Sequence, residues 1–245
     1  IVPSIPDELQ LLRDATMTIA NTPAAERLLL EREPMAAGKT CTIMNGSDVP
    51  VETEAPHGGP FALVHTGTVF SSRDPRPFLR AARAFVDRTG VTPDAWHVTF
   101  MGPPVRIAGQ ALPALVEEMG LGRHFTFLPP GTRAEAHELS RRARMLIAFP
   151  GLPTQVPYKI FEYSSFPAWL LAMVGRDSAP ADILAGTSAY VTDGDDVPAI
   201  ADALHHAWKR HLDGERPVAA GADGRFLREK QYERLVALFD AILTP

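Results

Sequence analysis

From residue 61 onward, short apolar runs alternate with longer segments whose apolar residues recur every three or four positions. The first kind reads as strand and the second as amphipathic helix. Strands are predicted over residues 61–66, 96–101, 124–128, 145–149, 168–174 and 189–191. Helices are predicted over residues 75–88, 108–119, 132–143, 158–163, 179–185 and 197–212, with a long terminal helix over 225–243. Helix 75–88 has Phe78, Leu79, Ala82, Phe85 and Val86 on one side, and Thr132 with Glu135 forms a capping-box pattern. The runs 145–149 and 168–174 are apolar at every position, which suits strands covered on both faces.

Before residue 61 the pattern is weaker. An amphipathic run starts at Asp7-Glu8, a short strand is predicted over 17–20, a helix over 24–33 opened by Asn21-Thr22-Pro23, and another strand over 42–44. Residues 49–60 hold acids, prolines and a Gly-Gly pair and read as linker or exposed loop. The first residue is Ile1, and the opening Ile1-Val2-Pro3-Ser4-Ile5-Pro6 reads as linker, so a fragment of a longer protein is expected. Six strand–helix repeats argue an α/β fold with a Rossmann-like, doubly wound parallel sheet.

Composition narrows the chemistry. The 245 residues are 45% hydrophobic and 22% charged, enough for a substantial core. A net charge of −5 provides no global basic field for nucleic acid. The one cysteine, Cys41, excludes an internal disulfide, reads as a small buried hydrophobe and fits a reducing, cytoplasmic setting. No apolar run reaches the ~20 residues of a membrane helix.

Parallel sheets of this kind bind ligands beyond the carboxyl ends of their strands. That rule selects residues 67–73, Gly102, 129–131, 150–159 and Arg176. The turn His65-Thr66-Gly67-Thr68-Val69 is not G-x-G-x-x-G, and no Walker loop occurs, so nicotinamide and ATPase readings lose their main support. Gly67 permits close backbone approach. Arg73 is placed either to meet phosphates or to pair with Asp74 at the surface. In residues 156–163, Lys159 and Glu162 are three apart on one short helix. A lysine and a carboxylate there can receive a phosphate and a sugar hydroxyl; the plainer reading is a solvated ion pair. His205 and His206 point to different faces, and no H-E-x-x-H or G-x-S-x-G occurs, so no metal site is expected. Arg141, Arg142 and Arg144 read as a solvated helix end, and Trp96 and Trp169 as core.

The order of these landmarks resembles the C-terminal half of a GT-B glycosyltransferase of the family-four, group 1 retaining kind. Residues 14–22 resemble the end of the N-terminal domain. Met44-Asn45-Gly46-Ser47-Asp48 resembles an "NG.D" element at the crossing between domains. His65-Thr66-Gly67-Thr68 with Arg73-Asp74-Pro75 resembles a phosphate loop, and Phe100-Met101-Gly102 matches an "f.G" strand end. Residues 125–130 resemble the loop near the nucleobase. Residues 157–163 match "P.K.fEY", the most specific piece.

The resemblance implies a donor-binding domain over 61–224. Residues 1–50 would be a remnant of the N-terminal acceptor domain with the crossover, 51–60 a linker, and 225–245 a helix returning toward the N-terminal domain. It implies transfer of a sugar from a nucleoside-diphosphate sugar to an acceptor, with retention, in cytoplasmic polysaccharide or glycoconjugate biosynthesis. Glu162 would accept hydrogen bonds from the ribose, while Arg73 and Lys159 would neutralise the diphosphate. Gly67 and Thr68 would let the backbone meet the donor, and Met101, Gly102 and Leu128 would flank the base. Catalytic groups are expected mainly on the N-terminal domain, with no metal or other cofactor. The expected partners are the nucleotide sugar and the rest of the same protein, with a peripheral membrane contact through that rest and no nucleic acid. Two positions depart from the pattern. Thr154 stands where an acid is common, and Ser164-Ser165-Phe166-Pro167 replaces a glycine-led turn that presents backbone N–H groups. Two rivals stay open: an inert sugar-nucleotide-binding or assembly module, and a GT-B-like sugar-nucleotide epimerase. Glu162 is expected to face the cleft, so that Glu162→Gln spares folding.

Overall fold

The computed structural model describes residues 5–56, 58–69, 74–149 and 151–243. It opens with helix α1 (Ile5–Asp14), strand β1 (Thr18–Ala20), helix α2 (Pro23–Arg32), a 3-10 turn (Pro34–Ala36) and strand β2 (Thr40–Thr42). β1 and β2 pair in parallel. Thr22 caps α2 by accepting from the Ala25 N–H at 3.0 Å, with Pro23 in the first turn. β2 falls at Thr40–Thr42 instead of 42–44, because the Met44 N–H is taken by Gln231 Oε1 at 3.1 Å, near the chain's other end. Cys41, in β2, is half-buried, against the expectation of a buried thiol.

The larger unit runs β3 (Phe61–Thr66), α3 (Arg76–Thr89), β4 (Trp96–Met101), β5 (Arg106–Ile107), β6 (Gln110–Ala111), α4 (Leu112–Glu118), β7 (Phe125–Leu128), α5 (Arg133–Arg141), β8 (Met145–Ala148), α6 (Tyr158–Tyr163), β9 (Trp169–Met173), α7 (Ala179–Leu184), β10 (Tyr190–Thr192) and α8 (Val197–Leu212). Helix α9 (Arg228–Leu243) follows. Six strands form one sheet in the order β10-β9-β8-β3-β4-β7, with every pairing parallel. The chain builds outward from β3 through β4 to β7, then returns to lay β8, β9 and β10 on the other side. This is the doubly wound topology, and its order reverses between β3 and β8.

Alternation along the strands divides the core. Met145 and Ile147 of β8 and Trp169, Leu171 and Met173 of β9 pack on one face with Phe78, Phe85 and Leu204 from α3 and α8. Leu146, Ala148, Leu170 and Ala172 pack on the other with Ile160 and Phe161 from α6 and Ile183 from α7. Both faces are covered, which is why these strands carry no polar positions. Trp96 and Trp169 are fully buried.

One expected helix is shorter than the pattern indicated. Residues 106–111 form the antiparallel hairpin β5–β6, and α4 begins at Leu112 with Pro113 in its first turn. Ala108 (φ 49°) and Gly109 (φ 86°) make its two-residue turn, with Ile107 paired to Gln110. Two successive positive φ values suit the tight hairpin turn that follows sheet twist.

The crossing segment is tied to the chain's end. The Ser47 N–H donates to Phe226 O at 2.8 Å, and the Arg228 N–H donates to Ser47 O at 2.9 Å. A Cβ on Gly46 would lie 2.4 Å from Arg228 Cα, so only glycine fits this contact.

Candidate functional site

Three strands of the sheet end level with one another. Thr66 pairs with Met101, and Met101 with Leu128, so the residues just beyond form one step along the carboxyl edge. The Gly67 N–H donates to Met101 O at 2.7 Å, and the Gly102 N–H donates to Leu128 O at 3.1 Å. Gly67 has φ 104°, a conformation side chains rarely adopt. A Cβ on Gly102 would lie 2.3 Å from Gly67 O. The two glycines therefore form a bare backbone wall that no other residue pair could reproduce without displacing it.

Helix α6 is pinned to that wall by one side chain. Tyr163 is fully buried, and its hydroxyl accepts from the Thr66 N–H at 2.8 Å and donates to Thr66 O at 3.3 Å. Burial pushes its pKa up to about 12, so it holds these bonds as a neutral phenol. The first turn of α6 then lies over Gly67, where an added Cβ would touch Lys159 Cε at 3.4 Å.

Lys159 Nζ donates to Glu162 Oε2 at 2.8 Å. Glu162 is only 3% exposed, so the pair is not a solvated one, although the carboxylate still borders the cleft. His137 Nε2 donates to Glu162 Oε1 at 3.3 Å, and Arg133 Nη2 lies 3.4 Å from the same oxygen. Burial pushes the Glu162 carboxyl up, but Lys159 and then His137 outweigh it and hold the group below its ordinary range. The carboxylate is therefore ionised at neutral pH. Arg133 also donates to Tyr158 Oη at 3.2 Å and lies 3.6 Å from Asp48, which pairs with Arg228 at 2.6 Å. This links the cleft to the crossing segment and to α9.

Arg133 and His137 were not among the expected site residues. The capping box at Thr132 marked the start of α5, and a spacing of four placed both side chains on one face. Nothing local indicated that this face would meet α6.

Two cavities share the glycine wall. One, the polar cavity, of about 360 Å³, has the charged groups of Arg133, Lys159 and Glu162 on its walls and is also bounded by Thr66 and Tyr158. The other, of about 430 Å³, is lined mostly by apolar groups, among them Val69, Phe100, Val105, Leu112 and Phe127. Gly67, Met101, Gly102, Pro103 and Pro130 border both. Of the expected residues, Gly67, Met101, Gly102, Lys159 and Glu162 meet at the polar cavity, and Leu128 lines the apolar one. Thr68 is exposed on the adjoining turn and lines neither. Arg73 lies outside the described residues, and Asp74 bonds Arg76 Nε at 2.8 Å. Arg176 lies beyond β9, where its N–H donates to Asp193 Oδ1 at 2.9 Å, and it borders neither cavity.

No protein-family model and no curated protein matches the chain. Solved structures do. A glycosyltransferase from Rickettsia africae superposes with a TM-score of 0.72 at 12% identity, over 99% of this chain and 69% of that one. HepE from Anabaena, solved with UDP and glucose, gives 0.68 at 13%, over 96% and 66%. TarM gives 0.65 at 14%, over 96% of this chain and 46% of its own. The fold is GT-B glycosyltransferase-like. The chain spans about half the length of TarM.

Proposed function

We propose that this chain is the donor-binding half of a glycosyltransferase and holds a nucleoside-diphosphate sugar at the carboxyl edge of its sheet. The observation that carries the reading is the pair of cavities joined at one glycine wall. The apolar cavity suits a nucleobase. Glu162, ionised and fixed by its neighbours, suits two ribose hydroxyls. Lys159 offers its charge to the diphosphate beside the backbone at Gly67, with Arg73, six residues on in sequence, as a further cation. A leaving nucleoside diphosphate needs cations and N–H donors where charge develops. The neighbours solved with UDP and sugar support the same donor class.

On this reading the acceptor is positioned by a facing domain, with residues 1–50 as the part of it present here. Helix α9 leaves Tyr232, Val236, Phe239 and Leu243 exposed along one side, apolar surface suited to cover by that domain. The chain alone would bind a nucleotide and transfer nothing, because proximity can supply ~7–11 kcal/mol of a barrier and half the contacts are absent. Calorimetry with UDP, GDP, ADP and dTDP tests the binding, and a labelled-donor assay tests the transfer.

One observation favours the inert module as a second reading. The turn after α6 spends its N–H groups internally: Ser164 on Ile160, Ser165 on Glu162, Phe166 on Tyr163 and Ala168 on Phe166, while Pro167 has none. Phe166 is fully buried beside the His137 ring. This turn has no backbone N–H left for a donor phosphate. Failure of all four nucleotides to bind would favour that reading.

A further inference from the structure

At the opposite edge of the sheet, where the strands begin, lies a buried cation, Arg144. Arg144 immediately precedes β8; its N–H donates to Ala62 O at 2.8 Å, and its own carbonyl accepts from the Trp169 N–H at 2.9 Å. The residue is 5% exposed, against the expectation that it belongs to a solvated helix end. Its neighbours Arg141 and Arg142 do meet that expectation, pairing with Glu138 at the surface. The Arg144 guanidinium donates to the carbonyls of Pro56 and Gly58. Among the described residues no carboxylate lies within ion-pair distance of it.

A guanidinium has five N–H donors, so two carbonyls leave much of its capacity unused. A buried charge without a counter-charge is costly, and that cost disappears if an anion binds. The surroundings are shaped for one. Arg144, His211 and Arg216 line a cavity of about 190 Å³ with Pro56, Gly58, Gly214 and Glu215. Glu215, the one carboxylate among the described lining residues, is held by Arg210 at 2.8 Å, which offsets its charge. Burial and then the Arg216 charge push the Arg144 pKa down, while burial and then the Arg144 charge push His211 down. Arg144 therefore feels the Arg216 charge, and His211 feels that of Arg144.

We propose that this cavity binds a small dianionic oxyanion, with Arg144, Arg216 and His211 as its donors. The site takes an inorganic phosphate or sulfate; it is too small for a nucleotide sugar. It is separate from the carboxyl-edge cleft and independent of the glycosyltransferase reading. An occupant would bind the segment that leads into β3 to the end of α8.

Sulfate is the suitable probe, because it stays a dianion across neutral pH. Sodium sulfate titrated against sodium chloride at equal ionic strength should raise the melting temperature saturably, since a ligand of the folded state stabilises it by mass action. Arg216 is exposed, so Arg216→Ala should keep the circular dichroism of the parent while weakening sulfate about tenfold, the scale of a lost charged hydrogen bond. His211→Gln should weaken it less. Saturating UDP should leave the sulfate affinity unchanged. A response no different from chloride, an unchanged affinity in Arg216→Ala, or displacement of sulfate by UDP would each overturn the proposal.

Discussion

Glu162 is a carboxylate with almost no access to water and with Lys159, His137 and Arg133 around it. Its folded pKa is held below the ordinary 4.5, so its ionised form is favoured by folding. The sign follows from linkage: the stability it contributes is present above the unfolded pKa and is lost as pH falls through the folded value. Glu162→Gln should therefore be less stable than the parent at pH 7 by about 1–3 kcal/mol, the range for hydrogen bonds to a charged group. The gap should narrow below about pH 4. Denaturant titrations across pH check this, and a gap independent of pH would remove the charge from the explanation. Gly102 is constrained by space instead of charge. Gly102→Ala places a methyl 2.3 Å from Gly67 O, so the wall must shift. A loss of about 1–3 kcal/mol is expected, as for overpacking, together with weaker nucleotide binding. Unchanged affinity would show that the glycine wall does not contact the ligand.

At the scale of elements, the link between β3 and α6 matters most, because it brings Lys159 and Glu162 to the end of a different strand. Tyr163→Phe leaves the shape intact but strands the Thr66 N–H and carbonyl. It should cost about 1–3 kcal/mol of stability and weaken the nucleotide, since α6 then loses its hydrogen bonds to β3 and keeps only its packing and its polar ties to α5. A change in stability with no change in affinity would mean that α6 keeps its place without the hydroxyl. Much of this level was legible in the sequence. The runs in β8 and β9 are apolar throughout because both faces are covered, and that pattern alone indicated a parallel sheet. The β5–β6 hairpin was not legible, because Ala108 adopts a positive φ that alanine rarely takes and its apolar neighbours fit a helical period equally well. Arg144 misled for a related reason. Its place beside two exposed arginines suggests solvent, and only the distant carbonyls of Pro56 and Gly58 draw it inside. In the site, glycines and the Lys159–Glu162 pair could be found by spacing, whereas Arg133 meets Tyr158, and His137 meets Glu162, across 25 residues of sequence.

The whole molecule is a six-stranded parallel sheet with a polar and an apolar cavity at one edge and a short α/β segment attached by the crossing at Ser47. Its last helix turns Tyr232, Val236 and Phe239 outward. If that face awaits another domain, Phe239→Ser should change the stability of this chain by less than about 0.5 kcal/mol, as for an ordinary surface site. A larger loss would show that the face is held within the chain. The central claim is that the edge of the sheet binds a nucleoside diphosphate through Glu162 and Lys159. Isothermal calorimetry of the chain and of Glu162→Gln with UDP, GDP, ADP and dTDP tests it most directly. At least one nucleotide should bind saturably to the parent, and Glu162→Gln should weaken that nucleotide by about 1–3 kcal/mol. No binding by any of the four, or equal affinities for parent and variant, would contradict it.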